Sequence, residues 1–370
     1  MATAASARAL PDEPDRLAGF SAPREVDRVL GHEAAWAEFA DGLRSGTLHH
    51  ACLLVGPEGI GKATLAYTFA RAALGGGEGD AGRDEAVFRK VAALSHPNLL
   101  LLRRSWNERS KRYSQWIGVD EVRRLRNFLG NTAGEEGWRV VVVDRADELN
   151  QNAANALLKA LEEPPPQTLF LLMAASEGRL PVTIRSRCRT LRLNALEAAP
   201  LEQAVRAALR RDDHEIDEET LRLALDLAQG SVRRALELVT GEGIALYREL
   251  LKVFNDLPEL DSTRAHKLTE KLAGPGSGDR LDLFFSLLLG LLERLIRIAA
   301  TGEEGTAKER EIAARLLGPA NLDAWAEAWE AIGQAKAEAS ILNLDRSLLV
   351  LDTIFRLQRL AREAAALRVS

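Results

Sequence analysis

Residues 56–64 read Gly-Pro-Glu-Gly-Ile-Gly-Lys-Ala-Thr, a spacing of glycines and lysine suited to holding phosphates. In a loop of the form G-x-x-x-x-G-K-[ST], backbone N–H groups wrap the phosphates, the lysine reaches the β/γ oxygens and the hydroxyl holds Mg²⁺. Gly56, Gly61 and Lys62 occupy their places in that pattern, with Gly59 between them, but Ala63 stands where the hydroxyl belongs. Thr64 follows one residue on, about 100° further around a helix, and does not simply replace it. A second group lies at the end of the run Val140, Val141, Val142, Val143, where Asp144 stands in the position of an acid that helps hold Mg²⁺. The acid that would orient an attacking water is missing, because Arg145 comes next and a guanidinium does not deprotonate in proteins. Asp147 and Glu148 are near but lie beyond the strand end. Alternatives to a phosphate site are a glycine turn into a helix and an acid that merely ends a buried strand.

These groups need a strand–loop–helix scaffold, and the apolar pattern provides one. Short runs at 51–55, 99–102, 140–143, 168–173 and 190–193 read as strands, β-branched throughout at 140–143. Helical patterns separate them: Leu65, Phe69, Ala72 and Ala73 share one face, 119–129 is amphipathic, and 155–163 must stop before Pro164. Short apolar strands alternating with helices imply an α/β fold with a parallel sheet covered on both faces. Beyond residue 195 the strand signals vanish, and 197–240 hold about three helices. From about 245 onward the pattern stays helical, with Leu281, Phe284, Phe285, Leu288, Leu292, Leu295 and Ile296 forming one stripe. That stripe suits an oligomerisation face or an ordinary core helix equally well. Glycine-rich stretches at 75–79, 274–278 and 302–305 read as loops.

The strongest family signal comes from Ala154-Asn-Ala-Leu-Leu-Lys-Ala-Leu-Glu-Glu-Pro-Pro165, followed by Leu180-Pro-Val-Thr-Ile-Arg-Ser-Arg-Cys188. This pair of segments resembles the clamp-loader branch of the AAA+ ATPases, in which a Ser-Arg-Cys element presents an arginine finger to the neighbouring subunit. Arg187 matches that arginine, and a cation supplied in trans stabilises charge on the γ-phosphate oxygens. Gly230-Ser-Val-Arg-Arg-Ala-Leu236 resembles the sensor 2 segment of the family's lid, with Arg233 at the arginine position. His49-His50-Ala51 also resembles the family and is not read as a metal site, since adjacent side chains do not point the same way. The motor subunits of this branch, gamma and tau, have a hydroxyl, an Asp-Glu pair and a sensor 1 Thr where this chain has Ala63, Arg145 and Ala174 or Ala175. Loss of those groups beside a retained Ser-Arg-Cys resembles the delta-prime family of the bacterial DNA polymerase III clamp loader. Residues 95–99 and 117–125 resemble it too, in its alphaproteobacterial type. The likeness is dense over about 22–240 and rests beyond that on helical character alone.

The resemblance implies four parts: a disordered lead-in at 1–21, an AAA+ α/β nucleotide-binding-type domain at 22–195, a helical lid at 196–243 and an all-α collar at 244–370. It implies a stator subunit that completes a partner's ATP site through Arg187. Its partners would be delta and gamma/tau subunits, with the sliding clamp and primer–template DNA met through the complex. Gly56, Gly59, Gly61, Lys62, Thr64, Asp144 and Arg233 would form a degenerate site for ATP or ADP that can be silent. The alternative is a catalytically active AAA+ ATPase of the gamma/tau or helicase-loader type, with Asp147 or Glu148 replacing the missing acid. Many relatives have a four-cysteine zinc module, whereas this chain has only Cys52 and Cys188, so zinc is not expected.

Composition is consistent with this. The 370 residues carry 49 basic and 54 acidic side chains, a net charge of −5, which does not announce a free-standing nucleic-acid binder. Two cysteines exclude a disulfide scaffold and fit a cytoplasmic protein. The first twenty residues lack a signal peptide's apolar core, and the run at 283–292 ends at Glu293 and Arg294, short of the ~20 residues a membrane helix needs. Arg179, Arg185, Arg187, Arg189 and Arg192 cluster without an intervening acid, as a solvated or a phosphate-facing surface would.

Overall fold

The computed structural model describes residues 13, 16–75, 84–110, 112–130, 137–260, 262–274, 278–302, 305–342 and 345–369. Most of the lead-in lies outside these residues, as do parts of the loops expected at 75–79, 274–278 and 302–305. The chain divides into two compact units, 1–237 and 238–370.

In the first unit the strands are β1 (Ala51–Val55), β2 (Leu99–Leu102), β3 (Trp106–Asn107), β4 (Arg112–Tyr113), β5 (Arg139–Val143), β6 (Thr168–Ala174) and β7 (Arg189–Arg192). Five of them form one sheet in the order β2-β5-β6-β1-β7, and every pairing in it is parallel. The remaining two, β3 and β4, make a small antiparallel ribbon. Side chains alternate across the sheet with period two. Cys52, Leu54, Val140, Val142, Leu169, Leu171 and Met173 face α1 (Glu33–Ser45), α2 (Lys62–Ala73) and α3 (Glu85–Ala92), where Phe39, Leu65, Phe69 and Val91 complete the core. Leu53, Val55, Leu100, Val141, Val143, Phe170 and Leu172 face the other way, onto α4 (Val119–Gly130) and α5 (Gln151–Glu162) with Val122, Leu125, Leu157 and Leu161. Both faces are therefore dry, which explains why the strands read as continuous apolar runs.

Parallel order has one consequence for chemistry: the carboxyl ends of β1, β5 and β6 lie side by side on one edge. Ligands of open α/β sheets bind at such edges. After β7 the chain continues through α7 (Ala198–Arg211), α8 (Glu218–Leu227) and α9 (Val232–Thr240), with the short α6 (Val182–Arg185) preceding β7. The lead-in expected to be disordered up to residue 21 is not so at its end. Phe20 is buried, its ring 4.5 Å from that of His214, and the Ser21 hydroxyl donates to Asp212. Glu13 pairs with Arg24 and Arg103. The alanine- and proline-rich composition before Phe20 hid these specific contacts.

The second unit contains α10 (Gly243–Asp256), α11 (Ser262–Ala273), α12 (Gly278–Thr301), α13 (Ala307–Leu316), α14 (Leu322–Leu342) and α15 (Arg346–Val369). Central α12 packs against α10, α11, α13 and α14. Of its apolar stripe, Phe284, Phe285, Leu288, Leu292 and Leu295 are fully buried, so that face is the unit's own core. Within this core Glu309 accepts hydrogen bonds from Tyr247 Oη at 2.7 Å and Arg294 Nε at 2.7 Å. Its other oxygen accepts the Thr306 N–H at 2.9 Å, capping α13. Among the described residues no helix is long and apolar enough to cross a membrane.

Candidate functional site

The loop after β1 turns on two glycines with left-handed backbone, Gly59 at φ +77° and Gly61 at φ +102°. Such torsions are strained for residues with a Cβ, and the loop leads directly into the first turn of α2, whose N–H groups lack partners within the helix. Beneath the loop, buried His32 donates from Nε2 to the Ile60 carbonyl at 2.8 Å. Lys62 bends back over its own loop, its Nζ donating to the carbonyls of Gly56 at 2.7 Å and Pro57 at 2.6 Å. Burial pulls the Lys62 ammonium below its ordinary pKa.

At the end of β5, beside this loop, come Asp144 and Arg145. Arg145 adopts a left-handed backbone, φ 54°, which is uncommon for a residue with a long side chain. Its guanidinium reaches back across the site to Glu58 in the loop, 2.6 Å away, and also to Glu148 at 2.7 Å. Glu148 is held a second time by Arg104 at 3.0 Å, and burial pushes its carboxyl up. Asp147 accepts the Ala175 N–H at 3.2 Å through Oδ2, while its Oδ1 is buried without a hydrogen-bond partner. The acids next to the missing water-orienting position are thus tied into the scaffold.

Helix α9 closes the loop from above. The Ser231 hydroxyl donates to the Glu58 carbonyl at 3.0 Å, and the Arg233 N–H donates to the Gly59 carbonyl at 3.2 Å. A Cβ on Gly59 would collide with Ser231 Oγ, so the approach depends on glycine. The Arg233 guanidinium pairs with Glu237 at 2.8 Å. Between loop, strand ends and helices lies a cavity of about 780 Å³. Gly59, Gly61, Lys62, Thr64, Asp144 and Arg233 all line it, whereas Gly56 does not and donates its N–H to the Ala174 carbonyl at 3.3 Å. Leu17, Phe20, Val26, Val29 and Leu30 form an apolar end, and Arg206, Arg210 and Arg211 of α7 add cations that no sequence signal marked.

A divalent cation of the kind phosphate loops hold does not fit the donor set. Asp144 is present, but the methyl of Ala63 replaces the hydroxyl and the Arg145 guanidinium stands alongside. Among the described residues no group of three His, Cys, Asp or Glu is placed to hold a metal ion. His49 and His50 stack on each other, ring centroids 4.4 Å apart, and hydrogen-bond to backbone carbonyls.

Arg187 lies apart from the cavity, after α6. Its Nη2 contacts Glu162 at 2.6 Å and its Nη1 donates to the Thr183 carbonyl at 2.9 Å. Both side chains of the pair are more than a third exposed, at 36% and 47%, so the ion pair is weak and easily exchanged. The neighbouring arginines are paired too, Arg189 with Glu38 at 2.9 Å and Arg192 with Glu177 at 2.7 Å. The acids absent from the local sequence arrive from elsewhere in the fold. Cys52 is buried and Cys188 half-buried, and burial pushes both thiols up to about 12, away from the thiolate form.

Residues 31–197 match the family described as DNA polymerase III, delta subunit. Among curated proteins, the delta' subunit of DNA polymerase III from Pseudomonas aeruginosa is 38% identical over 200 residues, 53% of this chain and 57% of the relative. The gamma subunit from Buchnera aphidicola subsp. Schizaphis graminum is 29% identical over 221 residues, covering 59% and 58%. The tau subunit from Escherichia coli is 27% identical over 327 residues, covering 81% and 49%. The chain therefore spans about half to six-tenths of the length of these relatives. A solved structure of a gamma-subunit-related protein from Thermotoga maritima aligns with 87% of this chain and 99% of its own at 18% identity and a TM-score of 0.41.

Proposed function

From the match of residues 31–197 to the DNA polymerase III delta-subunit family, we propose that this chain is a delta-prime-type, non-hydrolysing subunit of a clamp loader acting in DNA replication. The observation that carries the reading is Arg145, whose guanidinium takes the place of a water-orienting acid and is bound to Glu58 of the phosphate loop. A site with a cation there and Ala63 at the hydroxyl position lacks both the base and the metal ligand that hydrolysis requires. Arg187, by contrast, sits on the surface in a pair that a phosphate could displace, as an arginine acting on a neighbour's nucleotide requires. In this reading the lid spans 196–243 and the collar 244–370. The chain works in the cytoplasm with delta and gamma/tau subunits, and it meets the sliding clamp and primer–template DNA through the assembly.

The active-ATPase reading needs Asp147 or Glu148 as a base. Glu148 is clamped between Arg104 and Arg145, and Asp147 spends one oxygen on the Ala175 N–H. The test is reconstitution with candidate delta and gamma/tau subunits. The pure chain should show no ATP turnover. Arg187→Ala should cut the DNA-stimulated ATPase of the assembly by at least about tenfold, a modest value for a trans arginine. It should do more damage than Lys62→Ala. Turnover by the isolated chain that Lys62→Ala abolishes would overturn the proposal.

A further inference from the structure

The phosphate loop of this chain holds substitutes for phosphate at both Lys62 and Arg145. Lys62 Nζ is satisfied by the Gly56 and Pro57 carbonyls, and the Arg145 guanidinium by the Glu58 carboxylate at Nη2 and the Glu148 carboxylate at Nε. The acceptors at Gly56, Pro57 and Glu58 belong to the first three residues of one loop. The Glu58–Arg145 pair is exposed, 60% and 37%, so exchanging a carboxylate for a phosphate there costs little. Guanidinium groups take phosphates through two parallel N–H donors, and the start of α2 adds backbone donors. The apolar end of the cavity, with Leu17, Phe20 and Val29, can accept a base.

We propose that the cavity binds a nucleoside di- or triphosphate without a divalent cation, the Arg145 guanidinium supplying the positive charge that Mg²⁺ supplies in phosphate loops that hydrolyse nucleotides. Glu58 then acts as an internal competitor that yields its place when the phosphates arrive. This rests on the loop being a phosphate site and is independent of any role for Arg187. The feature that speaks for a cation instead is Asp147 Oδ1, buried and without a hydrogen-bond partner at the cavity wall.

The test is equilibrium binding of ADP and ATP to the purified full-length chain, followed by calorimetry in EDTA and in excess Mg²⁺. Binding should be as tight in EDTA as in Mg²⁺. Arg145→Ala should weaken it about tenfold, the loss of one charge-assisted hydrogen bond. Glu58→Gln, an exposed change, should tighten it by releasing the Arg145 Nη2 that Glu58 holds, while Glu148 keeps Nε. Binding that requires Mg²⁺, metal-free binding indifferent to Arg145→Ala, or no binding in either buffer would each overturn the proposal. An Arg187→Ala defect in the reconstituted loader would leave the functional reading standing in all three cases.

Discussion

Arg145 is held by Glu58 and Glu148, and Arg187 by Glu162. The two side chains are about equally exposed, 37% and 36%, but one turns inward to the chain's own loop and the other outward, away from the cavity. In the function proposed above the same side-chain chemistry serves opposite ends: a guanidinium beside Asp144 removes the place for a base, while the one at Arg187 would serve a neighbour. Gly59 shows how tightly the inward site is built. Its φ of +77°, and the 2.7 Å that would separate an added methyl from Arg233 Cβ, leave no room for alanine. Gly59→Ala should destabilise the first unit by about 1–3 kcal/mol, the usual cost of a forced backbone plus a displaced contact. Calorimetry would register this as a lower melting temperature for that unit, and an unchanged transition would show that α9 can retreat freely.

At the scale of elements, α5 links the sheet to the outward arginine. It begins at Asn150, whose side chain accepts the Ala153 N–H at 2.8 Å, and ends at Glu162, the partner of Arg187. Asn150→Ala should cost about 1 kcal/mol, typical of a lost N-cap, measurable as a shift in the denaturant midpoint. An equal or greater stability would mean that the backbone finds another acceptor there. The strands and the order of helices were legible because burial on both faces leaves long apolar runs, as at Val140–Val143. That Lys62, Asp144 and Arg233 share one cavity was legible because each falls in a local motif. The Arg145–Glu58 and Arg187–Glu162 pairs were not, since partners 87 and 25 positions apart leave no periodic trace. The amphipathic stripe of α12 was legible as a stripe, but only packing reveals that it is spent inside its own unit.

At the scale of the molecule, the two units carry different kinds of charge. In the first, the ion pairs around the loop run from the exposed Glu58–Arg145 to the half-buried Arg104–Glu148, whereas the second contains Glu309 at 2% exposure beside Arg294. Burial pushes the Glu309 carboxyl up, but hydrogen bonds from Tyr247 and Arg294 outweigh it and leave the group below the ordinary carboxylate value. A folded-state value below the unfolded one contributes stability that is full above the unfolded value, near 4.3, and lost as pH falls through the folded one. Acid should therefore loosen 238–370 in that window, and Glu309→Gln should remove the effect while costing about 3 kcal/mol at neutral pH. Hydrogen exchange resolved along the chain would check this, and uniform acid sensitivity that survives the substitution would refute it. A different consequence follows from Phe20 and Ser21, which hold the turn between α7 and α8 through His214 and Asp212. With Ser231 and Arg233 fastened to the loop, the three helices above the cavity are moored at two points. A flap on one hinge swings open with thermal motion, but one moored twice must first let go. For the nucleotide proposed above, release would then follow how often the Phe20–His214 contact breaks and not how fast the nucleotide diffuses.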